Sequence, residues 1–225
     1  MNRPYIICHM MMSADGRIDC GMTEKIGGSD SYYDILNSFE ADGALSGRVT
    51  AELEMAEPGK FVSKSTEKIG KECFSVKRKG CSYQIVTDTH GTLLWKDNRT
   101  GEEPLVIIMS ETASEDYLHY LDSLGISWIV TGKERIDMKR AMEILNTEFD
   151  VKRLAVVGGG NINGAFLDAG LLDEVSILIG PGIDGRKGMA ATFDGLPMER
   201  EPFKLKLKEV RSYESGAVWL HYIVA

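Results

Sequence analysis

The chain has 225 residues, enough for one large or two small domains with a sizeable core, and too many for a peptide hormone or a bare linker. Its 43% hydrophobic and 27% charged residues, with only 6 Pro, exclude a disordered or collagen-like chain. Lys and Arg number 26 against 34 Asp and Glu, a formal charge of −8, so no global positive field draws the protein to nucleic acid or to an anionic membrane.

The first element is an apolar run over residues 5–12, broken only by His9, with the pattern of a strand buried on both faces of a parallel sheet. It ends in the loop Ser13-Ala14-Asp15-Gly16-Arg17. Ser29 and Asp30 then offer N-caps to a helix whose face carries Tyr32, Ile35, Leu36 and Phe39 at i, i+3, i+4 and i+7. Ala44 and Leu45 form a short apolar segment that runs into Ser46-Gly47-Arg48-Val49-Thr50, a second strand-to-loop junction. Residues 60–80 carry seven basic side chains (Lys60, Lys64, Lys68, Lys71, Lys77, Arg78, Lys79) against Glu67 and Glu72, which reads as a solvated loop.

Strand patterns follow at 83–86, 105–109, 127–130 and 154–157. Ser114 caps a helix bearing Tyr117, Leu118, Leu121 and Leu124, and Asp137 caps another bearing Met138, Ala141, Met142, Leu145 and Phe149. Strand and helix in alternation imply a largely parallel sheet with helices on its faces. Gly158-Gly159-Gly160 leads into a short helix with Asn161 as its expected cap, Ile162, Ala165, Phe166 and Ala169 on one face, and Gly170 at its end. After a strand at 175–179, Phe203, Leu205 and Leu207 alternate with Lys204, Lys206 and Lys208. Val218, Leu220, Tyr222 and Val224 likewise alternate with Trp219, His221 and Ile223. The two runs predict a C-terminal antiparallel hairpin closing one edge of the sheet. With no repeat or linker, the expected organisation is one mixed α/β domain over 1–225.

No apolar run reaches the ~20 residues of a membrane span, and residues 1–12 lead into Ser13, Asp15 and Arg17 without a small-residue cleavage site, so the expected location is cytoplasmic. Cys8, Cys20, Cys73 and Cys81 form no C-x-x-C pair, and His9, His90, His119 and His221 lack zinc spacing, so no metal is expected.

Two loops share one chemistry. Ser46-Gly47-Arg48-Val49-Thr50 and Gly158-Gly159-Gly160-Asn161 each follow an apolar strand, and their glycines let a phosphate approach backbone N–H groups. The second also opens a helix, whose N-terminus favours an anion. Together they suit a diphosphate, with Arg48 adding a charge-assisted fork and Thr50 a hydroxyl. Neither is a Rossmann fingerprint, because Asn163 stands at the sixth position of G-x-G-x-x-G, and Gly132-Lys133-Glu134 is not a P-loop. The plain alternative is that each loop is a tight turn.

In order along the chain, Arg3-Pro4-Tyr5-Ile6-Ile7, Met12-Ser13-Ala14-Asp15-Gly16-Arg17-Ile18, Ser46-Gly47-Arg48-Val49-Thr50 and Gly158-Gly159-Gly160-Asn161-Ile162-Asn163-Gly164-Ala165-Phe166-Leu167, followed by Gly170-Leu171-Leu172-Asp173-Glu174 and Pro181, resemble the reductase domain of riboflavin biosynthesis. The resemblance implies a dihydrofolate-reductase-like three-layer sandwich and an NADPH-dependent 5-amino-6-(5-phosphoribosylamino)uracil reductase. It also implies a homodimer and a small-molecule phosphoribosylaminouracil-like substrate. By the same resemblance Gly47, Arg48 and Thr50 form one cofactor-phosphate loop and Gly158, Gly159, Gly160 and Asn161 the other, while Ser110 meets the adenosine ribose or its 2′-phosphate. Asp15 is the catalytic carboxylate, with His9 and Ser13 toward the substrate. The family usually has Glu where Val157 stands and an acidic, proline-containing pattern after Thr50, which the lysine-rich stretch replaces here. A pterin or other small substrate on the same fold, and a nucleotide-binding regulator without catalysis, are the rival readings.

Overall fold

The computed structural model describes residues 2–225, and the chain divides into two compact units. One is a split unit, Tyr5–Ala41 with Ala155–Ala225; the other is Asp42–Leu154 with the residues up to Pro4. Each obeys its own packing logic.

The split unit opens with β1 (Tyr5–Met12), α1 (Cys20–Ile26) and α2 (Ser29–Ser38). Helix α1 was not apparent in the sequence: it is seven residues long, buries only Met22, and starts where Asp19 accepts the N–H of Gly21. Helix α2 begins as expected in place, but its N-cap is Gly28 in the left-handed region rather than Ser29 or Asp30.

The 42–154 unit then runs β2 (Gly43–Gly47), α3 (Arg48–Glu54), β3 (Cys73–Ser75), β4 (Tyr83–Thr87), β5 (Arg99–Thr100), β6 (Glu103–Met109), α4 (Glu115–Leu124), β7 (Ser127–Val130) and α5 (Met138–Glu148). Strand β8 (Arg153–Val156) crosses the boundary, and α6 (Gly160–Asp168), β9 (Glu174–Ile179), β10 (Leu205–Ser212) and β11 (Val218–Val224) complete the split unit.

Within the 42–154 unit, β2, β4, β6 and β7 are parallel neighbours in that order. β3 pairs antiparallel with the outer edge of β7, and the short β5 pairs with β6. The sequence caps hold for both helices that flank this sheet: Ser114 accepts the N–H of Tyr117, and Asp137 that of Arg140. Leu105, Ile107 and Met109 of β6 and Val130 of β7 bury against Tyr117 and Leu121 of α4. At the unit's ends Asp42 Oδ2 accepts the N–H groups of Lys152 and Arg153, each at 2.8 Å.

The lysine-rich stretch is not a free loop. Asp116 Oδ2 takes the hydroxyl of Ser63 and the N–H groups of Lys64 and Ser65 at 2.8, 2.8 and 2.9 Å. Ile69 and Gly70 donate to Ala113 and Glu111, and β3 follows, so the segment is sewn along the sheet edge.

In the split unit β1 and β9 are parallel, β11 runs antiparallel to β9, and β10 pairs antiparallel with β11, as the tail pattern predicted. Ile7 and Met11 of β1, Leu178 of β9 and Trp219 of β11 pack under Ile35 of α2 and Phe39 at its C-cap. Glu174 fastens the hairpin: its Oε1 accepts Tyr5 Oη (2.7 Å) and Lys208 Nζ (2.6 Å), and its Oε2 meets His221 Nε2 at 2.7 Å. Among the described residues no helix is long and apolar enough to cross a membrane.

Candidate functional site

In the split unit the candidate residues lie where chain leaves β1 and enters α6. The loop after β1 is closed by two backbone bonds, Gly16 N–H to Ser13 O (2.9 Å) and Ser13 N–H to Arg17 O (3.0 Å), with Gly16 at φ +79. Ser13 is buried. Its hydroxyl donates to Asp15 Oδ1 at 2.6 Å and accepts the Arg17 N–H at 3.1 Å, so it organises the loop from inside.

Asp15 is exposed, and both its oxygens are engaged. Beside the Ser13 hydroxyl, Oδ1 accepts the N–H of Asp184 and Oδ2 that of Gly185, each at 3.0 Å. These donors, the Ser13 hydroxyl foremost, hold the carboxyl far below the usual carboxylate range. Asp15 is therefore an ionised acceptor with residual lone pairs, suited to receiving a hydroxyl rather than to giving up a proton.

His9 is fully buried. Its Nε2 lies 3.0 Å from the carbonyl of Tyr32, which can only accept, so Nε2 carries the proton and Nδ1 takes the hydroxyl of Ser176 at 2.9 Å. The ring stacks on Tyr32 at 4.4 Å between centroids, and burial pushes its pKa down to about 4. The structure thus seats His9 in the core, neutral, with both nitrogens hydrogen-bonded to protein groups.

The triple glycine has two separate reasons. Gly158 sits at φ +106, a conformation that disfavours any side chain, and the Gly158–Gly159 peptide is cis. At Gly160 the reason is close approach: a Cβ would stand 2.2 Å from Ala191 O, and one at Gly164 would stand 2.0 Å from Asp194 O. The helix begins at Gly160 with Gly159 as N-cap, so Asn161 lies in the first turn and not at the cap. Among the described residues no side chain caps this end. The Ile162 N–H turns back onto Gly159 O (3.0 Å), which leaves the leading N–H groups, those of Gly160 and Asn161, at the positive end of the helix dipole, a place that favours an anion.

Sequence reasoning missed the segment over residues 180–195, which joins these two places. Ala14 N–H reaches Gly182 O (2.7 Å), Ile18 N–H reaches Ala190 O (3.0 Å), and Arg17 NH1 reaches Met189 O (2.8 Å). Further on, Asn163 Nδ2 donates to Thr192 O (2.7 Å) and Asp194 N–H to Gly160 O (3.0 Å). Arg186 pairs with Asp184 and Asp19. Its partners lie 167 residues away or carry no motif, so only the fold reveals them.

In the 42–154 unit, Gly47 is the N-cap of α3 in an ordinary extended conformation (φ −84), and Thr50 falls in the first turn. The guanidinium of Arg48 pairs with Glu52 one turn on. Register places Gly47 beside Thr87, and Thr87 beside Ile108, at the carboxyl ends of parallel strands, where open α/β sheets bind dinucleotides. Ser110 is buried: its hydroxyl donates to Thr89 O (2.9 Å) and shares a hydrogen bond with Thr112 Oγ1 (2.7 Å). Thr112, half-buried, also lies 3.1 Å from Nδ1 of the exposed His90.

A family model described as the RibD C-terminal domain matches residues 4–219. Over 225 aligned residues the chain is 26% identical to the 2,5-diamino-6-ribosylamino-4(3H)-pyrimidinone 5′-phosphate reductase of Methanothermobacter thermautotrophicus, covering 95% of this chain and 94% of that one. It is 28% identical to the protein of the same name from Aquifex aeolicus, over 93% of this chain and 88% of the relative. Among solved structures, a pyrimidine reductase-like protein of Corynebacterium diphtheriae superposes with a TM-score of 0.74 at 19% identity, covering all of this chain and 93% of its own. That last likeness is one of fold.

Proposed function

The chain belongs to the RibD C-terminal domain family, and from that membership we propose that it is an oxidoreductase of riboflavin biosynthesis that reduces a ribosylaminopyrimidine 5′-phosphate to the ribitylamino compound. The observation that carries this reading is the extent of the match, which takes in 216 of the residues from Pro4 to Trp219 and so includes segments of both compact units. The dihydrofolate-reductase-like α/β fold agrees, with mostly parallel strands and a C-terminal antiparallel hairpin. The leading substrate is the 2,5-diaminopyrimidinone and not the deaminated uracil, because relatives matched over 93–95% of this chain carry the diaminopyrimidinone name.

NADPH is the proposed reductant, and when bound it supplies the hydride. Gly158, Gly159, Gly160 and Asn161 would hold a phosphate on the backbone of the α6 N-terminus, which no side chain caps among the described residues. Gly47 and Thr50 would hold phosphate at the start of α3, with Arg48 exchanging Glu52 for the anion. Asp15, kept ionised by its three donors, would receive hydroxyls of the sugar and fix its orientation.

We further propose a homodimer formed through the terminal hairpin. The cross-strand pairs Leu205 with Val224, Leu207 with Tyr222 and Val210 with Leu220 put an apolar row on one sheet face, where Leu207 and Val210 are 53% and 57% exposed.

The test is NADPH oxidation by the purified protein with the diaminopyrimidinone, with the aminouracil, and with neither, followed by mass analysis. Substrate-dependent oxidation with a product two hydrogens heavier is expected, fastest with the diaminopyrimidinone. Gly159→Asp, which sets a carboxylate at the phosphate-binding helix end, is expected to abolish NADPH binding. Absence of turnover with either pyrimidine would overturn the reading.

A further inference from the structure

Besides the Ser13 hydroxyl, the donors that fix Asp15 are two successive backbone N–H groups, those of Asp184 and Gly185, converging on the two oxygens of one carboxylate. Gly185 stands at φ +63, the left-handed conformation that lets consecutive N–H groups turn toward one anion. Such a nest aims its donors only while its own backbone is held. Here the side chain of Asp184 does the holding: it is 1% exposed and its carboxylate is gripped by Arg186, Nε to Oδ1 and NH2 to Oδ2, in a two-point fork. The same guanidinium reaches Asp19 Oδ2, on the far side of the loop that carries Asp15.

We propose that Arg186 is a positioning residue for Asp15: by clamping Asp184 and Asp19 together it keeps the 184–185 backbone seated on the Asp15 carboxylate. The inference rests on the reading above, in which Asp15 receives the sugar. The clamp ties Asp19, just beyond the Asp15 turn, to Asp184 of the second loop, whose N–H groups at 184 and 185 reach Asp15 itself. The charged groups shown to act on one another here are Asp15 and Asp19 from the first loop and Asp184 and Arg186 from the second. Arg17 is committed elsewhere, with NH1 on Met189 O. Arg17 thus ties the two loops at residue 189, and Arg186 is the cation seated on Asp184 beside the Asp15 carboxylate. Its geometry requires a planar fork, which a lysine lacks.

The test uses the full chain with Arg186→Gln and Arg186→Lys. The Asp15 carboxyl is followed by carbon-detected NMR titration, which needs no substrate, alongside pH profiles of kcat/KM for the diaminopyrimidinone phosphate and the Kd of NADPH. With the fork gone, the Asp15 titration moves to higher pH in both variants, the acid limb of kcat/KM moves with it, kcat/KM falls at least tenfold at neutral pH, and the Kd of NADPH stays unchanged. The lysine variant separates clamp from charge, because it keeps the positive charge and still loses the fork. An Asp15 titration that stays at its wild-type position in Arg186→Lys overturns the proposal. So does a titration that moves while kcat/KM and its acid limb stay as in wild type. A wild-type enzyme inert toward both pyrimidines, with NADPH binding intact, overturns instead the reading of function on which the proposal rests.

Discussion

His9 accepts the hydroxyl of Ser176 across 2.9 Å, and the same Ser176 oxygen takes the indole N–H of Trp219 at 2.7 Å. The chain of donors ends where His9 Nε2 gives its proton to Tyr32 O, so a polar line through the split unit is satisfied at each joint. A charged His9 would have to break it.

That sets the sign of an acid dependence. The ring is neutral in the folded state down to about pH 4, whereas in the unfolded chain it protonates near 6.5. Stability is therefore complete above about pH 6.5, declines as pH falls through that value, and levels off below the folded pKa. At about 1.4 kcal/mol for each pH unit of the gap, the full loss is about 3 kcal/mol. Urea unfolding between pH 7.5 and 4 should show it, and His9→Gln should flatten the curve while leaving the KM of the pyrimidine unchanged.

Gly164→Ala is expected to destabilise the protein in spite of the better helix propensity of alanine. The new methyl would stand 2.0 Å from the backbone oxygen of Asp194, which cannot rotate away. Overpacking of this kind costs about 1–3 kcal/mol, and each kcal/mol lowers the Tm of a chain this size by about 2–4 °C. Calorimetry of the variant checks the value. NADPH affinity should fall too, since Asp194 N–H bonds to Gly160 O.

Asp116→Ala removes the one oxygen that gathers Ser63, Lys64 and Ser65. Residues 60–66 should then loosen, and limited trypsin digestion should cut at Lys60 and Lys64 much faster than in wild type. The far-UV spectrum should stay unchanged, because α4 keeps its Ser114 cap and its buried face.

Leu207→Glu places a charge in the apolar row of the hairpin without touching the core. Light scattering after gel filtration should report a dimer for wild type and a monomer for the variant, at nearly equal Tm. A variant of unchanged mass would remove the hairpin face from the proposed interface.

Much of the fold was legible because local chemistry repeats: Ser114 and Asp137 announce α4 and α5, and the alternation of the tail announces β10 and β11. What escaped was short or cued by other parts of the chain. Helix α3 is seven residues behind a glycine cap, and β3 is three residues inside a run of lysines. The site divides in the same way. Asp15 and Gly158–Gly160 stand out in sequence, but the partners that fix them, Asp184, Gly185, Arg186 and Asp194, lie some 30 to 170 residues on and gain their meaning only from contact. For His9 the resemblance offered a strand position, and only the fold shows that its nitrogens meet Tyr32 O and the Ser176 hydroxyl.

The three residues of β3 have a consequence for anyone who would trim this protein. Cys73, Phe74 and Ser75 cover the outer edge of β7, whose sequence Ser-Trp-Ile-Val is buried at all four positions. Deleting the lysine-rich stretch as dispensable would uncover a short, flat, uncharged edge, the kind that recruits strands from other molecules. The stretch is a hem: its lysines keep the outside soluble while its backbone stops the sheet from growing, and a shortened chain should be recovered as aggregate.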